Sequence, residues 1–136
     1  MPDRRTRPTP IGTEEVHAWA RIAARAADDK QAADTVLLDV GEVLSITDVF
    51  VVTSGANTRQ VRTIADEVSK RLREEVGLAP LRTEGRRDLT WVLLDYGALV
   101  VHVFSEEMRR FYDIERLYRD VPIVRWSPSA PADQAG

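Results

Sequence analysis

The sequence predicts an α/β fold: a single domain with a mixed sheet of about five strands and helices packed on it. Three observations predict it. Short β-rich runs alternate with apolar stripes at helical spacing. A helical stretch separates the second run from the third, which permits a parallel crossover. Two later runs flank Tyr96-Gly97, a dipeptide suited to a tight antiparallel hairpin. The 136 residues fit one domain.

Taken in order, Thr13 is placed to cap a first helix, with Glu14 and Glu15 in its first turn. Val16, Trp19, Ala20, Ala23 and Ala27 fall on one face of it. Thr35 to Val40 reads as a strand that Gly41 ends. Asp48 to Thr53 is apolar on both faces and reads as central. Ser54 to Asn57 makes a turn, and Asn57 with Gln60 resembles a capping box. Val61, Ile64, Ala65, Val68 and Leu72 form the buried stripe of a second helix, which Gly77 and Pro80 can end. Leu81 to Glu84 is a short edge strand, and Gly85 to Asp88 a polar turn. Trp91 to Asp95 and Leu99 to Phe104 form the hairpin strands. Ser105 caps a last helix expected to run to Tyr118, and Val121 to Val124 is extended. Met1–Gly12 and Ser127–Gly136 are poor in core residues and are expected to be disordered tails around a domain over Thr13–Trp126.

Composition narrows the function classes. Formal charge is −3, so nothing global draws the chain onto nucleic acid, and sequence-specific nucleic-acid binding is not expected. Cysteine is absent, which excludes disulfides, thiol catalysis and a cysteine zinc site. No apolar run approaches about 18 residues, and the start lacks a signal-peptide core, so a cytoplasmic protein is expected.

Several constellations invite a chemical reading. The turn Ser54–Gln60 could cradle a phosphate at a helix N-terminus, but it lacks a Walker lysine or a GxGxxG spacing. A glycine-assisted entry into a capped helix explains it. Asp39, Asp48 and Asp95 sit at strand ends, yet no Asp-x-Asp or Asp-x-Glu lies on a strand to gather two metal ions. They read as turn formers, so no catalytic residue, metal or cofactor is expected. His102 points opposite to Val101 and Val103, where a lone histidine is usually a satisfied core or surface residue. Rings and polar groups concentrate in the second half: Trp91, Tyr96, His102, Phe104, Phe111, Tyr112 and Tyr118. Such residues favour interface centres, although Phe104 and Phe111 are expected in the core.

The same residues carry a resemblance. Thr47-Asp48, Phe50-Val51, Ser54-Gly55, Arg59-Gln60-Val61 and Ile64-Ala65 form one block. Glu84-Gly85, Trp91-Val92, Asp95-Tyr96-Gly97, Val101 to Phe104 and Arg110-Phe111-Tyr112 form the second. Together, over about Thr13 to Leu117, the chain resembles the ribosomal silencing factors, also called the Iojap family. It departs from them at Tyr118, where tryptophan is frequent, and at Ala98, where an acidic residue is frequent.

The resemblance implies a nucleotidyltransferase-like fold without the catalytic carboxylates. It implies binding to the fourteenth large-subunit ribosomal protein, on the face that meets the small subunit. Subunit joining would be blocked and translation lowered when nutrients are short. A homodimer is expected for the free protein, since apolar edge or aromatic surface needs cover. The partner-binding residues are expected to be Trp91, Asp95, Tyr96, His102, Arg110 and Tyr112, on the hairpin and the start of the last helix. The plain alternatives are core packing for Trp91, turn formation for Asp95 and an internal hydrogen bond for His102.

Overall fold

A computed structural model describes residues 12–128. The expected tails lie outside the described residues, save Gly12, Ser127 and Pro128. The elements are α1 (Thr13–Asp29), β1 (Ala33–Asp39), β2 (Val49–Gly55), α2 (Thr58–Val76), β3 (Arg82–Glu84), β4 (Trp91–Asp95), β5 (Leu99–Ser105), α3 (Glu106–Tyr112), α4 (Ile114–Leu117) and β6 (Ile123–Val124). The sheet is mixed, in the order β3-β4-β5-β2-β1-β6. Among the described residues, β2 and β5 pair in parallel and the other four pairs are antiparallel. The crossover therefore runs from β2 through α2 to the far edge, and the β4–β5 hairpin returns to the centre.

Local chemistry explains most boundaries. The Asn57 side chain accepts from the Gln60 N–H at 2.9 Å, and Gln60 Oε1 accepts from the Ala56 N–H at 2.7 Å. Gln60 Nε2 also donates to the carbonyls of Lys30 and Gln31, locking α2 to the end of α1. These bonds occupy the turn from within. Gly77 closes α2 in the left-handed region (φ 71°), where glycine is free of the Cβ penalty.

The mixed sheet is as expected, and the extended Ile123–Val124 supplies its sixth strand by pairing with Leu37 and Leu38 of β1. Three expectations need correction. Gly12, not Thr13, caps α1: its carbonyl accepts from Glu15 and Val16, and no side chain caps the helix. The last helix does not run to Tyr118. Asp113 takes φ 48°, a left-handed geometry that aspartate tolerates better than most residues, and it divides α3 from α4. Phe111 is not core; at the end of the shortened α3 it is 73% exposed.

One face of the sheet is sealed by α1 and α2. Val16, Ala20 and Ala23 from α1 meet Val61, Ile64 and Leu72 from α2 over Val49, Val51, Val101 and Val103. Small residues on α1 let the helices sit close to the strands, and this face carries the larger core cluster.

Candidate functional site

The other face is built from the alternate residues of the same strands. β4 contributes Trp91, Leu93 and Asp95; β5 contributes Val100, His102 and Phe104; β2 contributes Phe50 and Val52. The loop after β1, the short α3 and α4, and Tyr118 and Val121 beyond α4 pack against it.

Rings dominate this face. Trp91 stacks on Phe104 with centroids 4.8 Å apart and lies 4.7 Å from Tyr112. Phe50 meets His102 edge-on at 4.6 Å and Tyr118 at 5.3 Å. Trp91 Nε1–H donates to His102 Nδ1 at 3.1 Å. That bond makes Nδ1 the acceptor and assigns the ring proton to Nε2, which has no hydrogen-bond partner among the described residues. Burial pushes His102 down to about 4, against the opposing pull of the Asp95 carboxylate, so the ring is neutral near pH 7. The backbone of Trp91 is held from behind by Gly85. Gly85 has φ 87°, and a methyl group there would collide with the Trp91 carbonyl.

Beside the rings lies a groove of about 360 Å³. Phe50, Leu93, Val100 and His102 line it, and Arg82 and Asp95 close one side. Its rim is apolar and open: Ile46 is 85% exposed and Leu81 76%. Asp95 Oδ1 accepts from the Gly97 N–H at 2.9 Å, and Oδ2 lies 3.4 Å from Arg82. Asp95 thus supports the hairpin turn and still borders the groove.

The expected contact residues are only partly gathered. Trp91, His102 and Tyr112 share the ring cluster, with Trp91 half-buried, Tyr112 exposed and His102 beneath. Asp95 is at the groove wall, and Arg110 is exposed on α3. Tyr96 is displaced from them. It is 6% exposed and belongs to the core on the helix-covered side, where burial pushes its phenol up. Strand alternation accounts for this, since Asp95 faces the groove and its neighbour must point away.

Sequence reasoning missed Arg109. Its guanidinium pairs with both carboxylate oxygens of Glu115, at 2.8 and 3.1 Å, and reaches the Ala33 carbonyl and Ser54 Oγ. This ties α3 and α4 to the sheet across the Asp113 break and fixes Phe111 and Tyr112 outward. It also missed the rim residues Ile46 and Leu81, which lack any periodic signal, and Arg82, whose register opposite Asp95 only pairing reveals.

Among the described residues, no group of three or more histidine, aspartate or glutamate side chains is placed to hold a metal ion. Nor is any helix among them long and apolar enough to cross a membrane.

Comparison with known proteins gives this geometry its context. The family model described as "Ribosomal silencing factor during starvation" matches residues 13–135. A protein of Bacillus subtilis named ribosomal silencing factor RsfS is 39% identical over 104 residues, covering 76% of this chain and 87% of that protein. A protein of the same name from Halalkalibacterium halodurans is 38% identical over 104 residues, covering 76% and 88%. A crystal structure of a Chromobacterium violaceum protein superposes with a TM-score of 0.74 at 31% identity, covering 87% of this chain and 98% of that one. The family model takes in both the sealed core and the ring-lined face, and the chain belongs to the ribosomal silencing factors, a family that acts on ribosomes and is not a family of enzymes.

Proposed function

We propose that the ring-lined face docks on the fourteenth large-subunit ribosomal protein and that the bound domain blocks the small subunit from joining. Translation in the cytoplasm would then fall when nutrients are short. The observation that carries this reading is the unsealed face itself. Trp91, Tyr112, Ile46 and Leu81 stay accessible around a preformed groove on a domain whose opposite face is closed. Aromatic anchors surrounded by an apolar rim are what interface centres use. The resemblance at Trp91 to Phe104 and Arg110 to Tyr112 supports the choice of partner. Of the six contact residues expected from sequence, Trp91, Asp95, Arg110 and Tyr112 are retained as direct contacts. His102 is assigned to holding Trp91, and Tyr96 to the core.

The test is sedimentation of purified protein with separated ribosomal subunits. Protein should travel with the large subunit alone, and its addition should reduce the yield of joined ribosomes. Trp91→Ala should weaken both effects, by roughly 30-fold in affinity, while the fold melts cooperatively. Equal binding to both subunits, or undisturbed joining, would overturn the reading. The free protein is proposed to be a homodimer that covers this apolar face. Light scattering should show twice the chain mass, and a monomer at high micromolar concentration would refute it.

A further inference from the structure

A second cluster lies away from the docking face, on the helix-covered side of the sheet. Arg21 and Arg25, one turn apart on α1, meet Arg125 and Trp126, which follow β6. With Ser127 and Pro128 they line a cavity of about 250 Å³ that contains no carboxylate among its lining residues. Arg21 Nε donates to the Arg125 carbonyl at 2.8 Å, which brings the C-terminal segment onto α1. Trp126 Nε1 donates to the Thr35 carbonyl at 3.1 Å, which fixes the ring as one wall.

Three like charges converging on one cavity repel one another, and among the described residues no carboxylate answers them. Arg71, Arg82, Arg86 and Arg109 each pair with a carboxylate. No ion pair among the described residues involves Arg21, Arg25 or Arg125. Arg25 Nη1 is buried and has no hydrogen-bond partner among them. In a chain of net charge −3, this concentration of cations is a local departure from the global sign. Guanidinium groups present forked donors matched to phosphate oxygens, and an indole beside them offers a stacking surface for a base.

We propose that Arg21, Arg25, Arg125 and Trp126 form a sequence-independent contact for an unpaired RNA segment. The arginines hold successive phosphates and Trp126 stacks on one base. The site goes beyond the docking face and lies on the opposite side of the sheet, so a domain docked by its rings still presents it.

The test uses the full chain and a fluorescein-labelled 12-nucleotide RNA of mixed sequence, followed by anisotropy at about 50 mM salt, where phosphate contacts are strong. Wild-type protein should bind in the micromolar range. The logarithm of affinity should fall with the logarithm of salt at a slope of about −2, as three single-strand phosphate contacts require. Arg21→Gln/Arg25→Gln/Arg125→Gln should weaken binding at least about tenfold and flatten the slope. Should that triple variant not fold, Arg21→Gln/Arg125→Gln leaves the half-buried Arg25 in place and should still weaken binding several-fold. RNA should quench tryptophan emission, and Trp126→Phe should remove the quench. Two controls separate this site from the docking face. The arginine variants should keep wild-type affinity for the isolated large-subunit protein, and Trp91→Ala should keep RNA binding. No RNA binding at low salt, unchanged affinity in the arginine variants, or equal binding of inorganic tripolyphosphate without a quench would overturn the proposal.

Discussion

The two faces of the sheet share their strands and differ in what covers them. On one side, two helices of 17 and 19 residues lay alanines, valines and leucines over the strands and bury the large side chains beneath them. On the other, helices of 7 and 4 residues cover a corner and leave tryptophan, tyrosine, isoleucine and leucine in reach of solvent. Aliphatic packing of small residues gives density and stability. Rings with polar tips, stacked on one another and braced by a histidine, give area that a partner can cover. The difference teaches that stability and recognition are assigned to opposite sides of one layer, so a substitution on one side should change one property much more than the other.

The largest expected effect is on the sealed face. Leu72 is fully buried between α2 and the sheet. Leu72→Ala removes three carbons and leaves a cavity, at a cost of about 2–5 kcal/mol in unfolding free energy. Chemical denaturation measures it. Binding to the large subunit by the remaining folded protein should be unchanged, and a loss of affinity without a loss of stability would break the division between faces.

The next effect crosses the division and depends on pH. His102 titrates at about 4 in the folded protein, against an ordinary value near 6.5, because burial opposes its charge. The unfolded chain therefore takes up this proton first. The contribution is fully present above about pH 6.5 and is lost as pH falls toward about 4, by up to about 3 kcal/mol. The comparison is the pH dependence of stability in wild type minus that in His102→Phe, so that most other titrations cancel. The difference should slope between pH about 6.5 and 4 and flatten below. Two parallel curves would mean that His102 carries no such shift.

Trp91 should show the reverse of Leu72. It is half-buried, so its truncation leaves a solvated notch more than a sealed void. As a central anchor it should lose about 2 kcal/mol or more of binding free energy, roughly 30-fold in affinity. Titration of Trp91→Ala against the isolated large-subunit protein reads this, with a cooperative melt as control. Wild-type affinity in the folded variant would move the docking surface elsewhere.

The legibility of the two faces was just as uneven. The sealed face was readable because helical spacing and caps are local: Val61 to Leu72, Asn57 with Gln60, and Gly77 were all visible in the sequence and all behave as read. The open face was readable in its strands and opaque in its cover. Nothing local distinguishes Asp113 from any other helix-ending aspartate, because its left-handed turn is sustained by Arg109 reaching Ala33, 76 residues away. Ring chemistry alone points Phe111 to the core, and the shortened helix leaves it outside. Alternation from Asp95 turns Tyr96 to the helix-covered side, and that signal is local to the sequence. β6 is only two residues long and gains its identity from β1, not from its own sequence.

The smallest expected effect concerns the edge of the open face. Arg82 Nη2 lies 3.4 Å from Asp95 Oδ2, and Arg82 Nη1 lies 2.8 Å from Glu84 Oε2. The Arg82 side chain is 58% exposed, so water screens both pairs and the cost of ordering a long side chain offsets much of their attraction. Arg82→Ala should therefore change stability by less than about 1 kcal/mol. Asp95→Ala should cost more, because it also strips the Gly97 N–H of its acceptor at the hairpin turn. A double-mutant cycle on Arg82 and Asp95, followed by denaturant unfolding, isolates the pair itself. Coupling near about 0.5 kcal/mol would show that the carboxylate owes its place to the turn and stays available to a partner. Coupling of about 2 kcal/mol or more would show that the ion pair holds the groove wall, and Asp95 would then count as structure on a face otherwise built for recognition.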